Sequence, residues 1–213
     1  AAAAAAQPPR LWPTAGNHDY DHFAFADTNG TAARATAPMP YVQYFYYLRN
    51  ATAAARDGLY YRQRVADGMV ELFSLNSNYQ NVTSAEYVHM RKWCEAQLRA
   101  SKAPWRIVYF HHPPYGTAQH DELAAWMRWP FAAWGADLVI TGHQHVYERL
   151  RGVDNTPLTY VVNGLGGHPW VYSIHECAPH RGSVVRYNDD HGAMLGVATV
   201  DELRMCFYST ARG

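Results

Sequence analysis

The sequence predicts a mixed α/β sandwich, and three observations predict it. Apolar runs of buried-strand type, Arg106–Phe110 and Asp137–Thr141, follow a long helical pattern in the middle of the chain. Strand patterns on both sides of that middle pair as hairpins. Polar clusters close the apolar runs, as in open sheets whose ligands lie beyond the carboxyl ends of the strands. With 213 residues, 48% of them hydrophobic, the chain can bury one sizeable core.

Taken in order, Pro8, Pro9 and Pro13 bracket an extended approach to Gly16-Asn17-His18-Asp19, and residues 21–40 have loop composition. Tyr41–Leu48 is a dense aromatic patch, read as core or interface. Leu59–Val65 and Met69–Leu75 read as strands joined at Asp67-Gly68, a hairpin turn signal. Thr83 and Glu86 form a capping box ahead of Tyr87, Met90, Cys94 and Leu98 at helical spacing, which predicts a helix over Ser84–Ala100. Cys94 falls on its apolar stripe and reads as a core thiol. The strand Arg106–Phe110 runs into His111-His112-Pro113-Pro114, a shorter helix is expected over Glu122–Trp129, and Asp137–Thr141 runs into Gly142-His143-Gln144-His145. Leu158–Val162 is a further strand ending at Asn163-Gly164, and Met194–Val200 with Leu203–Tyr208 closes the fold as an antiparallel pair.

Composition excludes some functions. Eighteen basic and eighteen acidic residues balance to zero, which gives no electrostatic case for nucleic acid or an anionic membrane as partner. No apolar run is long enough to span a bilayer. Sequons at Asn29, Asn50 and Asn81 fit a secreted, extracellular glycoprotein. A disulfide between Cys177 and Cys206 is left open, since three cysteines cannot all pair. Residues 1–6, an unbroken alanine run without a basic stretch before it, do not read as a signal peptide. They are set aside as an unassigned segment, and residues 7–213 are read as one domain.

The twelve histidines carry the chemistry. Each cluster alone has a bland reading. Gly16-Asn17-His18-Asp19 can be a turn with a satisfied histidine. Adjacent His111 and His112 on a strand end point to opposite sides, so at most one faces a site. His143 and His145, two apart in an extended segment, share a face and can reach neighbouring ions. The three clusters in this order, two of them after buried strands, bring imidazole and amide oxygen together in a set suited to borderline divalent metals or ferric iron.

On Gly16-Asn17-His18-Asp19, Val108–His111 and Gly142-His143-Gln144-His145 with Val146–Arg149 behind it, the sequence resembles the calcineurin-like metallophosphoesterases, purple acid phosphatase group. Met127–Gly135, Val162–Gly167 and Asp190–Leu195 extend the resemblance over nearly the whole chain from Trp12. It implies a four-layered α/β/β/α sandwich, of which this chain is the C-terminal part without the first strands. It implies two metal ions, Fe(III) with Zn, Mn or Fe(II). Asn17, His111 and His143 would hold one ion and His145 the other. His18 would lie beside the substrate phosphate, Asp19 would orient it, His120 would contact phosphate, and His112 would support the site.

The resemblance also implies two earlier motifs, Asp-x-Gly and Gly-Asp-x-x-Tyr, which supply carboxylates and, in purple enzymes, an iron-bound tyrosine. Neither occurs before Gly16. The expectation is that the native protein carries them upstream; the competing reading is a pseudoenzyme. The activity implied is hydrolysis of phosphate monoesters. The rivals are a non-catalytic extracellular module in a larger assembly, or a diesterase of the same superfamily.

Overall fold

The structure, a computed structural model, describes residues 11–20, 39–50, 58–79, 83–117 and 123–211. Its centre is a seven-stranded mixed sheet in the order β1-β2-β3-β4-β6-β5-β7. The strands are β1 (Tyr61–Val65), β2 (Val70–Ser74), β3 (Trp105–Tyr109), β4 (Leu138–Thr141), β5 (Tyr147–Arg151), β6 (Thr159–Asn163) and β7 (Ser183–Tyr187). Strands β2, β3, β4 and β6 run parallel, with Ile107 opposite Leu138 and Ile140 opposite Val161. The margins are antiparallel, β1 on one side and β5 with β7 on the other.

The β1–β2 hairpin forms where its turn signal stands, with Val65 paired to Val70 and Asp67 in the left-handed region at φ 52°. Helix α2 (Ser84–Ala100) follows α1 (Pro40–Tyr44) and begins at its capping box: the Thr83 hydroxyl accepts from the Glu86 N–H at 3.2 Å, and the Glu86 carboxylate accepts from the Thr83 N–H at 2.9 Å. Its apolar stripe, Met90, Cys94 and Leu98, packs with α3 (Phe131–Trp134) on one face of the sheet, against Phe73, Val108 and Val139. Strand alternation sends Ile107, Leu138 and Val161 to the other face, where the hairpin β8 (Gly192–Ala198) and β9 (Leu203–Ser209) lays Met194, Met205 and Phe207 on them. Helices, the large sheet and the small sheet thus form three successive layers among the described residues.

The expected helix over Glu122–Trp129 is corrected. Among its described residues only a 3-10 turn, Ala125–Met127, appears, and α3 starts beyond Pro130. Pro130 cannot donate a helical hydrogen bond and disfavours the helical region for Trp129 before it. Strands β5 and β7 add to the expected set. All three cysteines are free thiols, so Cys177 and Cys206 are not bridged. His120, Asn29 and Asn81 lie outside the described residues, as does the side chain of Asn50, which ends the 3-10 turn Tyr46–Asn50. No described helix is long and apolar enough to cross a membrane.

Candidate metal centre

The parallel strands β3 and β4 are neighbours, so the segments beyond their carboxyl ends meet. Gly142 N–H donates to His111 O at 2.9 Å, which joins the two loops directly after the strands. The Asn17–Asp19 turn comes to the same place from the front of the chain. Gly16 packs against the His111 ring so closely that a Cβ there would stand 3.0 Å from it. The Asp19 carboxylate closes the turn by accepting from the Gly16 N–H at 2.8 Å.

Three donor atoms converge. His111 Nε2 lies 2.8 Å from Asn17 Oδ1 and 3.0 Å from His143 Nδ1. One ring nitrogen carries at most one hydrogen, so these contacts are either one forked proton or a clash of lone pairs. A cation is the arrangement in which an amide oxygen and two imidazole nitrogens can all aim their lone pairs inward. Burial pushes the His111 ring down to about 3, and the neighbouring His112, His143, His18 and His145 push the same way. His111 is therefore a neutral imidazole, the form that binds metal. The residues present fit one borderline cation.

His112 corrects the sequence reading. Ligand atoms of His111, His112 and His143 all lie within 4.8 Å of one another. The alternation argument fails because β3 ends at Tyr109, and both histidines sit in a bend beyond it. Ser77 holds His112 from behind, accepting from its N–H at 2.9 Å and meeting ring Nδ1 at 2.9 Å. Ser77 belongs to a buried polar run after β2, with Asn76 and Asn78, that sequence reasoning passed over. Asn78 Nδ2 donates to Ala15 O at 3.2 Å and Asn76 Nδ2 to the Tyr20 hydroxyl at 2.8 Å, which locks the Asn17 turn in place. Three consecutive buried polar residues at a strand's carboxyl end were the available signal.

The loop carrying His143 and His145 is not extended. Gln144 N–H donates to Gly142 O and Val146 N–H to Gln144 O, each at 2.7 Å, so two three-residue turns follow each other. His143 sits in the left-handed region at φ 63°, a conformation that costs a non-glycine residue about 1–2 kcal/mol. Gly164 lets this loop close: a Cβ there would lie 1.9 Å from Gln144 O. The tight turns carry His145 away from the three-histidine cluster. It stacks on His168 with centroids 3.9 Å apart and lies 4.4 Å from Tyr172. Its Nδ1 is 2.7 Å from Trp170 O, so Nδ1 carries the hydrogen and Nε2 keeps its lone pair. His18 is exposed at the mouth.

A family model of the calcineurin-like phosphoesterases matches residues 2–147. Purple acid phosphatase 18 of Arabidopsis thaliana is 30% identical over 150 residues, which cover 67% of this chain and 31% of that protein. The Fe(3+)-Zn(2+) purple acid phosphatase 12 of the same plant is 28% identical over 166 residues, covering 74% and 32%. Purple acid phosphatase PPD1 from yellow lupin (Lupinus luteus) seeds shares the fold, with a TM-score of 0.59 at 19% identity, covering 76% of this chain and 32% of that one. The chain thus spans about a third of the length of the curated relatives it matches.

Proposed function

The chain belongs to the calcineurin-like phosphoesterase family, and from that premise we propose that it is a secreted, glycosylated hydrolase of phosphate monoesters working through two metal ions. The observation that carries the reading is the meeting of Asn17 Oδ1, His111 Nε2 and His143 Nδ1 within 3.0 Å contacts beyond β3 and β4. Those three residues, with His112 beside them, would hold one ion. His145 would offer Nε2 to the other, which also needs carboxylates. Iron with zinc, as in the name of the Arabidopsis relative, is the pairing we favour. Bound there, the ions would neutralise phosphoryl charge and activate a water.

The chain's own groups do the rest. The half-buried, neutral His111 has one ring nitrogen whose lone pair can face the ion. Asn17 fixes the edge of the site through an uncharged oxygen. His18, exposed one residue further on, delivers a proton from a ring nitrogen to the departing alkoxide oxygen. Asp19 holds that turn through the Gly16 N–H.

Metal analysis of natively purified protein and turnover of p-nitrophenyl phosphate test the reading, with His143→Ala as the control. Bound metal and a monoesterase rate that disappears in the variant are expected. Absence of both metal and turnover makes the chain a non-catalytic module, and faster cleavage of bis(p-nitrophenyl) phosphate makes it a diesterase.

A further inference from the structure

A cavity of about 620 Å³ opens beside the Asn17–Asp19 turn, within the size range of small-molecule sites. Among the described residues Tyr41, Tyr44, Phe45 and Tyr46 form its wall, Leu11 one edge, and Asp19 brings a carboxylate. Local sequence explains the wall. Pro40 starts α1, and Phe45 leaves it at φ −103° and ψ 36°, so the aromatic run breaks into two short turns. Two such turns cannot bury every ring. Tyr41 goes inside at 4% exposure, while Tyr44 and Tyr46 remain 79% and 67% exposed.

The inner rings are fixed. Tyr41 packs on Phe45 with centroids 5.2 Å apart and donates its hydroxyl to Pro13 O at 2.9 Å. The Tyr47 hydroxyl donates to Leu11 O at 2.5 Å. The wall is thus pinned to the strand-like segment that leads directly into Asn17, so cleft and metal centre keep a constant relation. Large aromatic faces held open to water on a fixed wall cost solubility and are a mark of recognition.

We infer that this cleft receives the alcohol part of the phosphate ester, and that the alcohol it fits is aromatic and carries no negative charge. The inference rests on the proposed phosphatase reading. Asp19 lines the cleft and shares one 3-10 turn with Asn17 and His18, and such a turn rises only about 2 Å per residue. Two residues of rise, about 4 Å, thus separate Asn17 from the cleft's acidic edge, so a leaving group of aromatic size held beside the turn can reach the rings. Tyr44 and Tyr46 offer faces and edges for stacking, and the Asp19 carboxylate disfavours anionic alcohols.

The test compares kcat/KM for 1-naphthyl phosphate and glycerol 2-phosphate in the natural protein and in Tyr44→Ala/Tyr46→Ala. The double variant should lower the naphthyl value roughly tenfold and leave the glycerol value unchanged. An unchanged ratio overturns the inference. Binding of phosphate-free 1-naphthol, followed by its fluorescence, separates the two readings. Naphthol binding lost in the variant, in a protein that hydrolyses neither ester, sinks the phosphatase and the leaving-group role and leaves only an aromatic site. Hydrolysis of both esters without naphthol binding sinks the cleft alone. Both tyrosines are exposed, and Tyr44→Leu, which keeps apolar bulk without the ring, should reproduce part of the loss in a folded protein.

Discussion

At the amino ends of β2 and β3, the carboxylates are fully partnered. Glu71 is completely buried, and its carboxylate takes Arg62 Nε at 3.2 Å, Arg64 Nε at 3.3 Å and the Ser101 hydroxyl. Arg106 meets Asp137 through Nε at 2.9 Å and through its own backbone N–H at 2.8 Å. At the carboxyl ends, two imidazoles meet at 3.0 Å, one of them is held neutral by burial and then by its neighbours, and His143 bears a strained backbone. The same sheet has one end built for stability and another that carries strain where the candidate ligands converge. A satisfied network resists change, whereas a site of converging lone pairs is relieved by losing a member.

The largest test of this contrast is His143→Gly. Turnover of p-nitrophenyl phosphate should fall on the order of a thousandfold. Thermal unfolding without added metal should show a gain of about 1 kcal/mol, because glycine accepts φ 63° without penalty. Loss of both activity and stability would break the comparison. Next comes Glu71→Ala, which takes their buried carboxylate from Arg62 and the mostly exposed Arg64 and should cost about 1.5–3 kcal/mol in urea unfolding. Its kcat/KM per folded molecule should stay at the natural value.

His112→Ala sharpens the boundary of the site. Metal affinity, read by titration against a chelator, should fall roughly 10- to 100-fold, with unfolding nearly unchanged. A result equal to His143→Gly would promote His112 to a full ligand. The smallest effect is expected for Asp137→Asn, whose partner Arg106 is about a quarter exposed. That change should cost about 1 kcal/mol or less and no activity.

Much of the fold was legible because local rules decide it. The capping box placed the start of α2 at Ser84, and its helical spacing buried Cys94. The Asp67-Gly68 signal placed the β1–β2 hairpin. Strand β5 was not legible, since Tyr147–Arg151 carries Glu148 and two arginines. Glu148 is nonetheless fully buried, because the Thr117 N–H donates to it at 2.8 Å from a distant loop. Nothing near position 148 announces that partner.

The candidate site divides the same way. The motifs, and the family resemblance they carry, named the expected ligands: the amide of Asn17 and the imidazoles of His111, His143 and His145, each placed after an extended or apolar run. Chain connectivity could not say where those runs stop being regular. The bend beyond Tyr109 brought His112 into the cluster, and the two tight turns around Gln144, closed by Gly164, turned His145 toward His168 and Trp170. Side-chain direction follows from sequence only while backbone periodicity lasts. Beyond the strand ends it depends on packing between segments far apart in the chain, and those contacts exist only in the folded molecule.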